Sequence, residues 1–240
     1  MLSPVALRGG PAVVRPASVR YEFWLYGDSR KPVSWGLGYW GGTEFDGDGD
    51  DGTAWFRLTV RPSPSLNLSL EPRVARNRPS WQYVGQPVVD GERHYLVGDL
   101  DQTTVSLTTR LNLTLSPTLS FELYTQPFIS GGEYSDFRRV VRPRAERFAD
   151  RFEPLDVTYD AAAGTYRADL DGDGVGELEF ANPDFNFREM RGNAVLRWEY
   201  RPGSTLYLVW SQSRTASLSG GDLVGERFDL GRDLGRLFNL

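Results

Sequence analysis

The chain has 240 residues, 40% of them hydrophobic and 13% aromatic, with 27 basic against 32 acidic side chains and a formal net charge of −5. That length is enough for a sizeable core. The mild acidity excludes the strongly basic footprint of a nucleic-acid binder, and the lack of cysteine excludes a disulfide framework or a thiolate metal centre. No apolar run approaches the ~18 residues of a membrane-crossing helix, so only strands could cross a bilayer.

Residues 1–16, with Gly9-Gly10-Pro11 and Pro16, read as an irregular lead-in. A first strand follows over about Ala17 to Gly27, carrying Tyr21, Phe23 and Leu25 on one face. After the polar turn Asp28 to Pro32, a second strand alternates Val33, Trp35, Leu37 and Tyr39 with Ser34, Gly36 and Gly38. Beyond the acidic, glycine-rich stretch Glu44 to Gly52, a third strand sets Phe56, Leu58 and Val60 against Trp55, Arg57 and Thr59. Arg61-Pro62-Ser63 is expected to turn the chain into a fourth strand with Leu66, Leu68 and Leu70 on one side.

The clearest stretch comes next. From Thr104 to Leu115 the apolar residues Val105, Leu107, Leu111, Leu113 and Leu115 alternate with Thr104, Ser106, Thr108, Arg110, Asn112 and Thr114. The alternation resumes as Leu119, Phe121, Leu123 and Ile129 against Ser120, Glu122 and Gln126. Setting Leu113 opposite Phe121 and Leu111 opposite Leu123 matches like faces, which a three-residue connection Ser116-Pro117-Thr118 achieves, whereas a two-residue loop would set every leucine against a polar partner. These are strands five and six of a run occupying residues 17–130.

Residues 131–184 lack sustained alternation and are longer than an ordinary connection. Strands seven and eight then fall within residues 185–214, the first carrying Ala194, Leu196, Trp198 and Tyr200 against Asn193, Arg197 and Glu199. Residues 215–240 read as a loop or a truncated end.

Connections are short after strands one, three, five and seven and long after the even-numbered ones, and three short ones carry proline. Tight turns on one rim, long loops on the other and full alternation match an outer-membrane β-barrel, whose sheet must close because lipid offers the backbone no hydrogen bonds. The expected fold is therefore all-β, an antiparallel up-and-down meander forming a single barrel-type domain over residues 1–240. Arg110, Asn112, Glu122, Arg197 and Glu199 are expected to face its lumen, and Tyr39, Phe56 and Tyr200 to border the membrane. A soluble antiparallel sandwich alternates in the same way and stays open as the alternative.

Asp169, Asp171, Asp173 and Glu177, with Gly174 between them, have the spacing of a calcium loop that lacks the usual acid at its twelfth position, where Phe180 stands. Asp46, Asp48, Asp50 and Asp51 form a second, less regular acidic stretch. Trp40, Trp55 and Trp81 are candidate platforms for stacking on sugar rings. The run Arg138, Arg139, Arg142, Arg144, Arg147 and Arg151 reads as a phosphate-binding or acid-pairing segment. His94, the one histidine, has no companion for metal or acid–base chemistry, and no nucleophile motif accompanies the serines, so an enzyme is disfavoured and a carbohydrate hydrolase is the weakest of the readings.

Several runs also point to a known family. Leu7-Arg8-Gly9-Gly10-Pro11, Asp28-Ser29-Arg30-Lys31-Pro32, Leu100-Asp101-Gln102-Thr103-Thr104, Asn182-Pro183-Asp184-Phe185-Asn186-Phe187 and the stretch from Arg191 to Ser204 resemble the C-terminal barrel domain, of uncharacterised function, in large bacterial envelope proteins. The N-terminal module of those proteins is similar to a family 9 carbohydrate-binding module. The resemblance implies an outer-membrane location, membrane lipid as the surrounding partner and a glycan held through a module missing here. It implies no catalytic residues, and it reads the chain as an internal fragment.

Overall fold

The computed structural model describes residues 2–170, 173–220 and 228–238. Eight long strands form an antiparallel meander: β1 (Ser18–Tyr26), β2 (Val33–Glu44), β3 (Asp50–Ser63), β4 (Leu66–Arg78), β5 (Leu96–Ser116), β6 (Leu119–Val140), β7 (Phe185–Arg201) and β8 (Ser204–Ser219). The up-and-down all-β expectation holds. Closure differs: among the described residues β1 and β8 are the two edges of an open sheet, because no hydrogen bonds join them.

Register follows the hydrophobic pattern. One row runs Val33, Val60, Leu68, Leu111, Leu123, Ala194 and Trp210 across seven adjacent strands. A higher row on the same face runs Phe23, Tyr39, Ala54, Val74, Val105 and Ile129. The expected pairs Leu113 with Phe121 and Leu111 with Leu123 are present.

The turns are tighter than expected. Ser116 pairs with Leu119, leaving only Pro117-Thr118 in the turn, and the register break at Leu115 absorbs the odd residue. The same device recurs at Pro202-Gly203, where Arg201 pairs with Ser204 and Gly203 takes φ of 76°. At the third copy Ser63 pairs with Leu66, so the turn is Pro64-Ser65 rather than Arg61-Pro62-Ser63. A β-bulge beside each turn restores the face that a two-residue loop would invert.

The conventional core lies at the opposite rim. Leu7, Val13, Trp81, Val97 and Phe152 form one buried cluster, and Leu96, Phe137, Ala168, Leu178 and Phe180 a second. The lead-in is thus not irregular: Leu2–Ser3 pairs with Val13–Val14, and Leu7 and Val13 are fully buried. Residues 131–184 are not one loop either, since β6 continues to Val140 and a three-stranded sheet follows over Val157–Asp160, Thr165–Ala168 and Leu178–Ala181. In the tail β8 runs on to Ser219, and helix α1 (Leu230–Phe238) packs on β6 and β7. Its Asp233 is fully buried and accepts from Asn186 Nδ2 at 3.0 Å, with Arg188 at 3.8 Å.

Candidate functional site

The site is the long sheet itself, and its two faces differ in kind. The face carrying both rows above is apolar and uncovered: Leu115 and Leu208 are 58% and 56% exposed, and Val33, Trp35, Phe56, Val74 and Leu206 are also exposed. The main contacts of each long strand are with its neighbours in the sheet, and α1 packs at the top of β6 and β7, where Ile129 is buried. An apolar surface this wide is unusual on a protein surrounded by water.

The apolar stretch has definite ends. Above Val74 the same face turns charged, with Arg76 paired to Asp101 and Arg78 to Asp50 at 2.8 Å. Just below that level Tyr39 stacks with Tyr21 and Phe23, ring centroids 6.0 and 6.1 Å apart. At the turn end Trp198 and Tyr200 meet edge to face at 6.0 Å. Tyr39 and Tyr200 therefore sit at the two ends of the apolar stretch, whereas Phe56 lies inside it, opposite Leu37. Along β5 the stretch runs from Val105 to Leu115, roughly 34 Å at ~3.4 Å per residue, or about 26 Å of height at a ~40° tilt.

The other face is polar. One row runs Ser34, Thr59, Ser69, Arg110, Tyr124, Asn193 and Ser211. Arg110, Asn112, Glu122, Arg197 and Glu199 share this face: Asn112 pairs with Glu122, Arg110 lies over the Tyr124 ring at 5.2 Å, and Arg197 and Glu199 approach to 3.8 Å. Sequence reasoning missed its centre, where Glu71 accepts from Arg57 at 2.6 Å and Arg73 at 3.0 Å. The small residues Gly36 and Gly38 leave room on this polar side, as their place in the alternation implies, and the room is taken by aromatic rings: a Cβ there would fall 2.6 Å from the rings of Tyr26 and Trp55. The signal was present as a Gly-X-Gly step on the polar side of β2, flanked by strands bearing aromatics.

The three tryptophans do not form one platform. Trp40 and Trp55 lie on the polar face beneath Arg73 and Arg57, at 5.1 and 5.6 Å. Trp81 is buried and packs against Phe152 at 5.8 Å, so it offers no ring face to a sugar.

The calcium spacing does bring carboxylates together. Oxygens of Asp169, Asp173 and Glu177 lie within 4.8 Å of one another, about the widest separation of two ligands on one ~2.4 Å shell around calcium. The Gly174 N–H donates to Asp169 at 2.7 Å, with Gly174 at φ of 90°, and the Leu170 N–H donates to Glu177 at 2.9 Å. Asp171 lies outside the described residues. The other acidic stretch disperses instead: Asp50 turns to Arg78, Asp51 to Arg20 at 2.9 Å and Asp46 to Arg151 at 3.5 Å.

The basic run is spread likewise. Arg138 pairs with Asp99, Arg139 with Glu153, and Arg142 with Asp150 at 3.9 Å. Arg151 is buried and donates to the carbonyls of Val14, Ala145 and Glu146, tying the lead-in to the long connection. Burial pushes the Asp99 carboxyl above its ordinary range despite the Arg138 guanidinium beside it. On the turn rim the Arg30 side chain holds Asp28 below that range, helped by the Arg30 N–H. His94 is buried in a loop, its N–H donating to the Pro87 carbonyl. Comparison with family models, curated proteins and solved structures gives no match to the chain.

Proposed function

We propose that this chain is the membrane-embedded part of an outer-membrane β-barrel protein, acting as anchor or as translocation element for a glycan-associated envelope protein. One observation carries the reading: the uncovered face of the sheet is the apolar one, seven strands wide and ended by ion pairs above and aromatics at both borders. Water opposes such a surface at roughly 25 cal/mol per Å², whereas hydrocarbon accepts it. The ~26 Å height suits the ~25 Å apolar band of such barrels, and Trp and Tyr belong at the two interfaces. A soluble sandwich would need a second layer over this face.

The glycan link rests on the resemblance of the sequence runs, and calcium at the loop of Asp169, Asp173 and Glu177 is a further part of the proposal, placed on the long-loop rim. The membrane reading is tested by expressing the protein in an outer-membrane-bearing host. The expected result is retention after carbonate washing together with a gel band that shifts on boiling. Release by carbonate without a heat shift would remove the reading.

A further inference from the structure

Under the membrane reading, on which this inference rests, the two ends of the apolar stretch face two lipid leaflets, and the charges at those ends differ. At the upper border the cations are matched, Arg76 by Asp101 and Arg78 by Asp50. At the turn rim they outnumber the acids. Asp28 is taken by Arg30 at 3.0 Å, and Glu199 by Arg197 at 3.8 Å and by the Gly203 N–H at 3.1 Å. Lys31, Arg61 and Arg201 make no ion pair among the described residues.

Two of these cations meet in one concavity. The turn between β1 and β2 is fixed by Asp28, whose carboxylate accepts from the Arg30 N–H at 3.0 Å and whose carbonyl accepts from the Lys31 N–H at 3.2 Å. The next turn along the rim is clasped to it, since the Arg61 N–H donates to the Pro32 carbonyl at 2.5 Å and Arg61 Nη2 donates to the Ser29 carbonyl at 2.7 Å. Between the turns lies an open concavity of about 580 Å³, with Arg30, Lys31 and Arg61 on its wall and Pro62, Pro64 and Leu66 beside them. Its apolar side continues into the apolar face of the sheet, because Leu66 pairs with Leu113 and Pro32 leads into Val33, opposite Val60. Charge and hydrocarbon surface therefore meet at its mouth.

A phosphate on an apolar stem fits that combination. Arg30 already neutralises Asp28, so two positive charges are left over. The Lys31 ammonium is a compact point charge, and Arg61, with one nitrogen committed to Ser29, keeps the rest of its planar fork; both groups suit phosphate oxygens. Long basic side chains at the end of an apolar belt hold their heads at headgroup depth while their stems cover apolar surface. We propose that the concavity between these two turns holds the phosphate of an anionic phospholipid from the leaflet at the turn end, with Lys31 and Arg61 as its ligands. The matched pairs at the upper border make no such demand, so the protein tells the two leaflets apart by charge.

The full chain is inserted into vesicles of phosphatidylcholine and phosphatidylglycerol in equal parts and extracted in mild detergent. Its retained lipids are counted by native mass spectrometry, with carbonate washing and the heat-shifted band scored on the same samples. The wild type should retain phosphatidylglycerol over phosphatidylcholine by roughly 30-fold, and Lys31→Gln should lower that preference about fivefold. Lys31→Gln with Arg61→Gln should abolish it, and Lys31→Arg should keep it. Lys31 makes no side-chain hydrogen bond among the described residues, so its single variant reads the charge with the clasp intact. Equal phosphatidylglycerol retention by wild type and Lys31→Gln in heat-shifting protein would overturn the site and leave the membrane reading standing. Inorganic phosphate retained by the wild type from pure phosphatidylcholine vesicles as firmly as phosphatidylglycerol would overturn the lipid source in favour of a free phosphate. Wild type washed out by carbonate without a heat shift would remove the membrane reading, and the lipid partner with it.

Discussion

Leu111 sits in the middle of the apolar stretch, six residues from Val105 and four from Leu115, on the row that joins Leu68 to Leu123. At ~3.4 Å per residue and a ~40° tilt it lies about 16 Å below one border and about 10 Å above the other. In the proposed membrane setting Leu111→Arg places a guanidinium near the bilayer midplane, where it should cost ~2–4 kcal/mol, a 30- to 1000-fold loss in the folding equilibrium. Asn112→Arg, one residue along on the polar face beside Glu122, should change stability by no more than about 0.5 kcal/mol, and Val105→Arg, at the border, should cost about 0–1 kcal/mol. Denaturant titration of protein refolded into lipid vesicles, followed by tryptophan fluorescence, measures all three. On a water-exposed sheet Leu111 is only a partly exposed surface residue, and neighbouring arginines would behave alike. Equal costs at 111 and 112 would therefore refute the inside-out assignment of the two faces.

Trp81→Ala should cost ~3–5 kcal/mol, lost from the rim core with Leu7, Val97 and Phe152; limited proteolysis should cut the rim while the strands below Val105 stay protected, and protection throughout would count against it. Calcium at a hundredfold excess over its dissociation constant should stabilise the rim by ~2.7 kcal/mol, read as a rise in its melting temperature that Asp169→Asn with Asp173→Asn abolishes; an equal rise in both proteins would refute the site. Asp28 should titrate below an ordinary aspartate because Arg30 favours its charged form. Its stabilising contribution is present above the unfolded-state carboxylate value and is lost as pH falls through the lowered folded one; an NMR titration midpoint unchanged by Arg30→Gln would contradict this.

The strands were legible because each face of the sheet has one environment. Alternation from Thr104 to Leu115 reports which side of β5 is apolar, and like must pair with like, so Leu111 opposite Leu123 followed from the sequence. The turns were less legible because a bulged two-residue turn and a three-residue turn restore the same register, and Arg61-Pro62-Ser63-Pro64 offers proline in both places. Above Val105 a period of two no longer describes the burial, since the adjacent Leu96 and Val97 are both buried, by elements that arrive from residues 2–16, 79–95 and 141–184. Trp81 was misplaced for that reason: its packing against Phe152 and Leu7 joins positions far apart in the chain. The carboxylates of Asp169, Asp173 and Glu177 were foreseen because their convergence needs only a local turn with Gly174 at positive φ. The dispersal of Asp46, Asp50 and Asp51 depended on arginines arriving from other strands.

The continuity of β5 and β6, at 21 and 22 residues, joins two regions with opposite solvent preferences. Their upper ends hold a core that water drives together, while their lower ends present a surface that water resists. In the proposed setting assembly acquires a direction. The rim can consolidate in the aqueous phase, and its bulk then acts as a stopper that sets how far the strands slide into lipid. The rim bearing Pro64-Ser65, Pro117-Thr118 and Pro202-Gly203 crosses first, because each two-residue turn carries the least backbone a hairpin can drag through hydrocarbon.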